Sequence, residues 1–169
     1  MSSAAAPLSA DFLALIGDNQ PLLLRVCRMY CPEAADRQDL YQDIVLQLWR
    51  AWPQYRPGAA KVSTWLYRVA LNVAISDLRR RGRQPPPASL DPEAPLAAPP
   101  PEGPDADELA QLYQAIERLS RVEKAFVLLY LEDRSYEEMA DILGITQNNV
   151  RVKMHRVQDK LRQLLTPAA

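Results

Sequence analysis

One histidine, two cysteines and five glycines in 169 residues leave little material for catalysis or metal binding. His155 lies far in sequence from Cys27 and Cys31, so a closed zinc site lacks ligands within the chain, and no metal is expected. The cysteines stand four apart in an expected helix, sharing a face without disulfide geometry; simple burial is the expectation. There is no glycine-rich phosphate loop and no set of paired inward carboxylates, which excludes a catalytic constellation: neither an enzyme nor a cofactor is expected. No basic stretch precedes an apolar core at the N-terminus, and no apolar run approaches the roughly 20 residues that cross a bilayer. A cytoplasmic protein without membrane insertion is therefore expected.

Also missing is any convincing stretch of period-two alternation, so the fold class read here is all-α. Helical apolar spacing places helices at Ser9 to Asp18, Gln20 to Tyr30, Asp36 to Trp52 and Val62 to Arg81. Proline is plentiful but concentrated: nine of the 15 prolines fall between Pro85 and Pro104. Such a stretch cannot build a core and reads as extended linker; at about 3.1 Å per residue it spans on the order of 60 Å. Two small helical domains follow, at 8–84 and 107–166, joined by the Pro-rich linker 85–106.

The net charge of −1 hides a segregated pattern. From Arg50 to Arg83 eight basic residues face one acid, Asp77, whereas Asp91 to Glu108 contains only acids. From Asp141 onward five basic residues stand against two acids. Two basic zones around an acidic spacer suit two phosphate-contacting modules.

The most informative segment is Arg134-Ser-Tyr-Glu-Glu-Met-Ala-Asp-Ile-Leu-Gly-Ile-Thr-Gln-Asn-Asn-Val-Arg-Val-Lys-Met-His-Arg156, which reads as a helix-turn-helix. Ser135 with Glu138 forms a capping box, Gly144 supplies the turn and Thr146 caps the next helix. In that helix Val150, Met154, Val157, Leu161 and Leu164 share a buried stripe, which forces Asn148, Val152 and His155 outward, flanked by Arg151 and Arg156. Asn and Arg suit bidentate contacts to adenine and guanine, and an outward Val can meet a thymine methyl. A solvated helix face is the alternative reading of the same residues.

In the third helix Leu40, Ile44, Leu48 and Ala51 share one face, so Asp39, Gln42, Asp43, Leu46 and Trp49 project to the other. An apolar pair rimmed by carboxylates reads as a protein-docking patch, with packing against a neighbouring helix as the alternative. The fourth helix leaves a stripe of Trp65, Arg68, Asn72, Ser76 and Arg79 after the loop Tyr55 to Thr64. An aromatic at the entry to an Arg/Asn stripe suits an unpaired base and its backbone, although Trp65 could equally plug a helix junction.

Three blocks resemble a known family, the extracytoplasmic-function (group IV) sigma factors of bacterial RNA polymerase. Asp36-Arg-Gln-Asp-Leu-Tyr-Gln-Asp-Ile-Val-Leu-Gln-Leu-Trp49 is similar to the family's polymerase-binding helix. Ser63-Thr-Trp-Leu-Tyr-Arg-Val-Ala-Leu-Asn-Val-Ala-Ile-Ser-Asp-Leu-Arg-Arg-Arg81 is similar to its promoter-melting helix. Leu119 to Leu131 with the helix-turn-helix resembles the domain that reads the minus-thirty-five element. The resemblance implies that Asp39, Gln42, Asp43, Leu46 and Trp49 grip core RNA polymerase. It implies that Lys61, Ser63, Trp65, Tyr67, Arg68, Asn72 and Arg79 line the melted minus-ten strand. Asn148, Asn149, Arg151, Val152, Lys153, His155 and Arg156 would read the duplex upstream. An anti-sigma partner, often membrane-tethered in this family, is implied as well. Arg37-Gln38, Asn148-Asn149 and Val152 depart from the family's usual residues. A one-component regulator acting on duplex operators is the alternative function.

Overall fold

The computed structural model describes residues 9–81, 103 and 105–166, with the side chains of 77–81 outside that description. Nearly all of the expected linker, and the part expected of the Arg79 side chain, thus lie outside the described residues. Eight α-helices are described, and the one β feature among the described residues is an isolated bridge between Pro57 and Ala60.

The first domain holds α1 (Ala10–Asp18), α2 (Gln20–Tyr30), α3 (Ala34–Ala51) and α4 (Val62–Arg81). Ser9 starts α1 by accepting the Phe12 N–H at 3.2 Å, satisfying one of the donors that a helix start leaves open. Helix α3 begins two residues before the sequence expectation, since Ala34 and Ala35 are strong helix formers behind the extended Glu33. It passes into a 3-10 turn at Trp52–Gln54. Leu40, Ile44 and Leu48 of α3 meet Leu23 and Val26 of α2 and Leu66 and Ala70 of α4 in a sealed core. Each such Leu or Ile contributes roughly 1.5–3 kcal/mol by leaving water.

The second domain holds α5 (Ala106–Glu117), α6 (Arg121–Leu131), α7 (Tyr136–Leu143) and α8 (Gln147–Leu165). Capping boxes open both α6 (Ser120 with Glu123) and α7 (Ser135 with Glu138). Gly144 sits at φ 68°, the left-handed conformation that a Cβ disfavours, and the Thr146 side chain caps α8. Phe126, Leu129, Met139, Val150 and Met154 fill the core. Glu123 also takes the Lys160 ammonium at 2.8 Å, which fastens α8 to the start of α6. Burial raises the Glu123 carboxyl, but that lysine and the Ser120 amide outweigh it and hold the group below its ordinary value.

The domains do not stand apart. Helices α2 and α4 pack on α6 and α7. The Tyr30 hydroxyl donates to the Arg121 carbonyl at 2.6 Å, and burial raises its pKa. Glu132, at the end of α6, pairs with Arg25 at 2.7 Å and accepts from the Tyr67 hydroxyl at 3.1 Å. Linker length alone allowed two separate modules; complementary side chains on facing helices bring them together.

Candidate functional site

Three surfaces arise from these helices. On α3, Asp39, Gln42 and Leu46 are exposed, Leu46 at 45%. Asp43 is half-buried, and so is Trp49, whose ring turns back onto Phe12 with centroids 5.1 Å apart. The side of α3 facing α4 opens a cleft of about 740 Å³ between Asp43, Leu46 and Arg50 on one wall and Asn72, Val73 and Ser76 on the other. The docking patch and the stripe on α4 therefore share a border, which their separation in sequence conceals.

The stripe on α4 is less open than its sequence suggests. Arg68 and Asn72 are exposed, and Ser63 is half-buried. Trp65 is half-buried at the end of an aromatic run, its ring 4.6 Å from Tyr55, which in turn lies 5.4 Å from Trp52. Tyr67 was expected to line a strand but has no exposed surface. It lies under the second domain, with the Arg134 guanidinium 5.5 Å from its ring centroid and its hydroxyl on Glu132. Burial first, then the Glu132 charge, raises its pKa. Lys61 is exposed but gives its ammonium to Glu138 at 2.8 Å, and Arg68 donates to the Asp141 carbonyl at 2.6 Å.

Residues that sequence reasoning left out therefore matter here: Arg25, Glu132 and Arg134. Their only sequence signal was charge, within α2 for Arg25 and just past the end of α6 for Glu132 and Arg134, which is ordinary on any surface. Glu138 was legible as a capping residue, but its second oxygen, turned to Lys61, was not.

The third surface is fully open. Asn148, Asn149, Arg151, Val152, Lys153, His155 and Arg156 are all exposed on the first half of α8, with Val150, Met154 and Val157 buried behind them. His155 and Arg162 both lean on Asp159, at 3.4 and 3.0 Å. Cys27 and Cys31 are buried thiols outside any disulfide, and burial pushes Cys27 up to about 12, with Cys31 adding to the rise. No group of residues able to hold a metal occurs among the described residues, and no described helix is long and apolar enough to cross a membrane.

One domain thus presents an open face on α8, and the other a carboxylate-rimmed patch beside an aromatic and basic stripe. The family described as Sigma-70 region 2 matches residues 15–84, and Sigma-70, region 4, matches residues 109–161. The chain is 29% identical to the RNA polymerase sigma-H factor of Pseudomonas aeruginosa, over 92% of its own length and 86% of that protein's. It is 30% identical to the ECF RNA polymerase sigma-E factor of Escherichia coli K12, over 82% and 78% of the two chains. In fold it matches the sigma factor RpoE of Bartonella quintana, solved in complex with the anti-sigma factor NepR, with a TM-score of 0.68 and 20% identity over 95% of this chain and all of that one. The chain belongs to the extracytoplasmic-function sigma factors of RNA polymerase.

Proposed function

We infer that this protein binds core RNA polymerase and directs it to the promoters of one set of genes, stabilising the melted DNA by binding it preferentially. The observation that carries the reading is the arrangement of surfaces: an exposed Leu46 among Asp39, Gln42 and Asp43, bordering the Arg68/Asn72 stripe, with an exposed Asn148-to-Arg156 face on a second domain. A regulator that works on duplex operators alone needs neither the patch nor the stripe.

In this reading residues 8–84 hold the polymerase grip and the minus-ten contacts, 85–106 connect, and 107–166 read the minus-thirty-five element. Trp49 shapes the grip from behind Leu46. Lys61, Ser63, Trp65, Arg68, Asn72 and Arg79 follow the single strand, and Tyr67 joins them only when the domains part. The protein lends specificity to polymerase and carries out no bond chemistry itself. Work with polymerase sets its place in the cytoplasm. An anti-sigma protein, soluble or membrane-tethered, is the partner that would hold it inactive, as NepR is found with the Bartonella factor.

Reconstituted transcription with core polymerase and a promoter library tests this reading. Initiation at a shared pair of promoter elements, dependent on added protein, is expected. A dimer that protects duplex operators without polymerase would replace it with the regulator reading.

A further inference from the structure

We propose that the cleft between α3 and α4 is the second wall of the minus-ten strand path, and that Arg50, on its α3 side, takes a backbone phosphate of the melted strand across from Asn72. The inference rests on the strand-path reading of Arg68 and Asn72 given above, and adds to it a contact from the helix read as the polymerase grip.

The geometry starts from the connection between the two helices. A 3-10 turn and a short loop join Ala51 to Val62, and α3 and α4 pack on each other as a hairpin. The end of α3 that carries Arg50 therefore lies beside the first half of α4, where Arg68 and Asn72 are exposed. Arg50 lines one side of the cleft, and Asn72 and Ser76 line the other, around about 740 Å³ of open space. Leu46, Val69 and Val73 line it as well, so the cleft offers an apolar surface to a base and a cation to its phosphate.

Charge decides which partner Arg50 fits. It is exposed, and among the described residues no carboxylate pairs with it. The grip on α3 is rimmed by Asp39 and Asp43, so a protein surface that complements it is cationic. Arg50 has the wrong sign for such a partner, and it stands seven residues from Asp43, roughly 10 Å along the helix axis. An anionic strand that follows Arg68 and Asn72 has the right sign, and a guanidinium can take two phosphate oxygens at once. Arg50 also sits in the last turn of α3, where a cation suits the helix dipole, so unfolding measurements accompany the binding ones.

The test uses the full chain assembled with core polymerase and a labelled promoter fork whose minus-ten strand is unpaired. Fluorescence anisotropy over a salt series compares wild type with Arg50→Ala. The variant should bind the fork roughly fivefold more weakly. The slope of log affinity against log salt should fall by about 0.7, the loss of one single-strand phosphate contact. Arg50→Lys, which keeps the charge, should restore the slope. Forks carrying one neutral methylphosphonate at successive positions should reveal a position where wild type loses affinity and Arg50→Ala loses nothing more. Affinity for core polymerase and the unfolding midpoint in denaturant should not change.

An unchanged slope with weaker binding to core polymerase overturns the proposal and gives Arg50 a carboxylate of the polymerase as its partner. An unchanged slope with a lower unfolding midpoint overturns it too and leaves Arg50 as a helix-end residue. Asn72→Ala on the same fork separates this proposal from the reading beneath it. If Asn72→Ala weakens the fork complex and Arg50→Ala does not, the second wall alone fails. If neither does, the strand-path reading falls with it.

Discussion

Lys61 and Glu138 meet across the two domains with nitrogen and oxygen 2.8 Å apart, while the other Glu138 oxygen accepts the Ser135 N–H at 3.0 Å. One carboxylate thus opens the first helix of the helix-turn-helix and ties it to the loop before α4. Capping at one oxygen fixes the other where the lysine can find it.

That double use makes domain closure sensitive to acid. The Lys61 ammonium, and then the Ser135 amide, hold the Glu138 carboxyl below its ordinary 4.5. A depressed carboxyl contributes stability that is present above its unfolded value and is lost as pH falls through its folded one. Scattering profiles should show a compact chain at pH 7 that loosens below about pH 4.5, and loosens at pH 7 when salt is raised. A Glu138→Gln chain should show a weaker dependence on both.

Polymerase binding is best probed at Leu46. Its side chain is 45% exposed, so Leu46→Ala should change stability by no more than about 0.5 kcal/mol while weakening the complex with core polymerase in an equilibrium binding assay. Trp49→Ala should weaken binding too, but loss of its packing on Phe12 should also cost on the order of 2 kcal/mol in denaturant unfolding.

Upstream choice should move with Arg151. The side chain is exposed, so Arg151→Ala should leave thermal unfolding unchanged. Selection from a promoter library should relax at one upstream position, by about 1–3 kcal/mol of discrimination.

The turn has its own signature. Nothing lies within 4 Å of a Cβ built on Gly144, so Gly144→Ala meets no steric clash. The cost should come from its φ of 68° alone, about 1–2 kcal/mol in chemical denaturation. A larger loss would mean that the turn is packed more tightly than its surroundings show.

Cys27 and Cys31 should resist alkylation in the folded chain at pH 7, since burial both hides the thiols and lifts Cys27 to about 12. Mass spectrometry should show both modified at once when denaturant unfolds the first domain.

Much of this protein is local chemistry, and local chemistry is legible in order. The α8 stripe of Val150, Met154 and Val157 is buried as its spacing requires, and the same spacing turns Asn148, Arg151, Val152 and His155 to solvent. The caps at Ser135 and Thr146 and the left-handed Gly144 depend on neighbours three or four residues away. Helix α2 kept its expected bounds, whereas α3 gained a turn's start from Ala34 and Ala35, where propensity alone sets the boundary.

Helical period therefore determined six helices, four in the first domain and two in the helix-turn-helix, and in α3 and α8 which side seeks the core, because apolar burial repeats every three or four residues; α5, beside the acidic linker, was not read from it. Tertiary structure alone decided that Tyr67 lies under Glu132 and Arg134, that Trp49 folds back onto Phe12, and that Lys61 meets a carboxylate 77 residues away. The reason is physical: periodicity says how far a side chain turns around its own helix, but which charged group stands opposite depends on how two helices, distant in the chain, settle against each other.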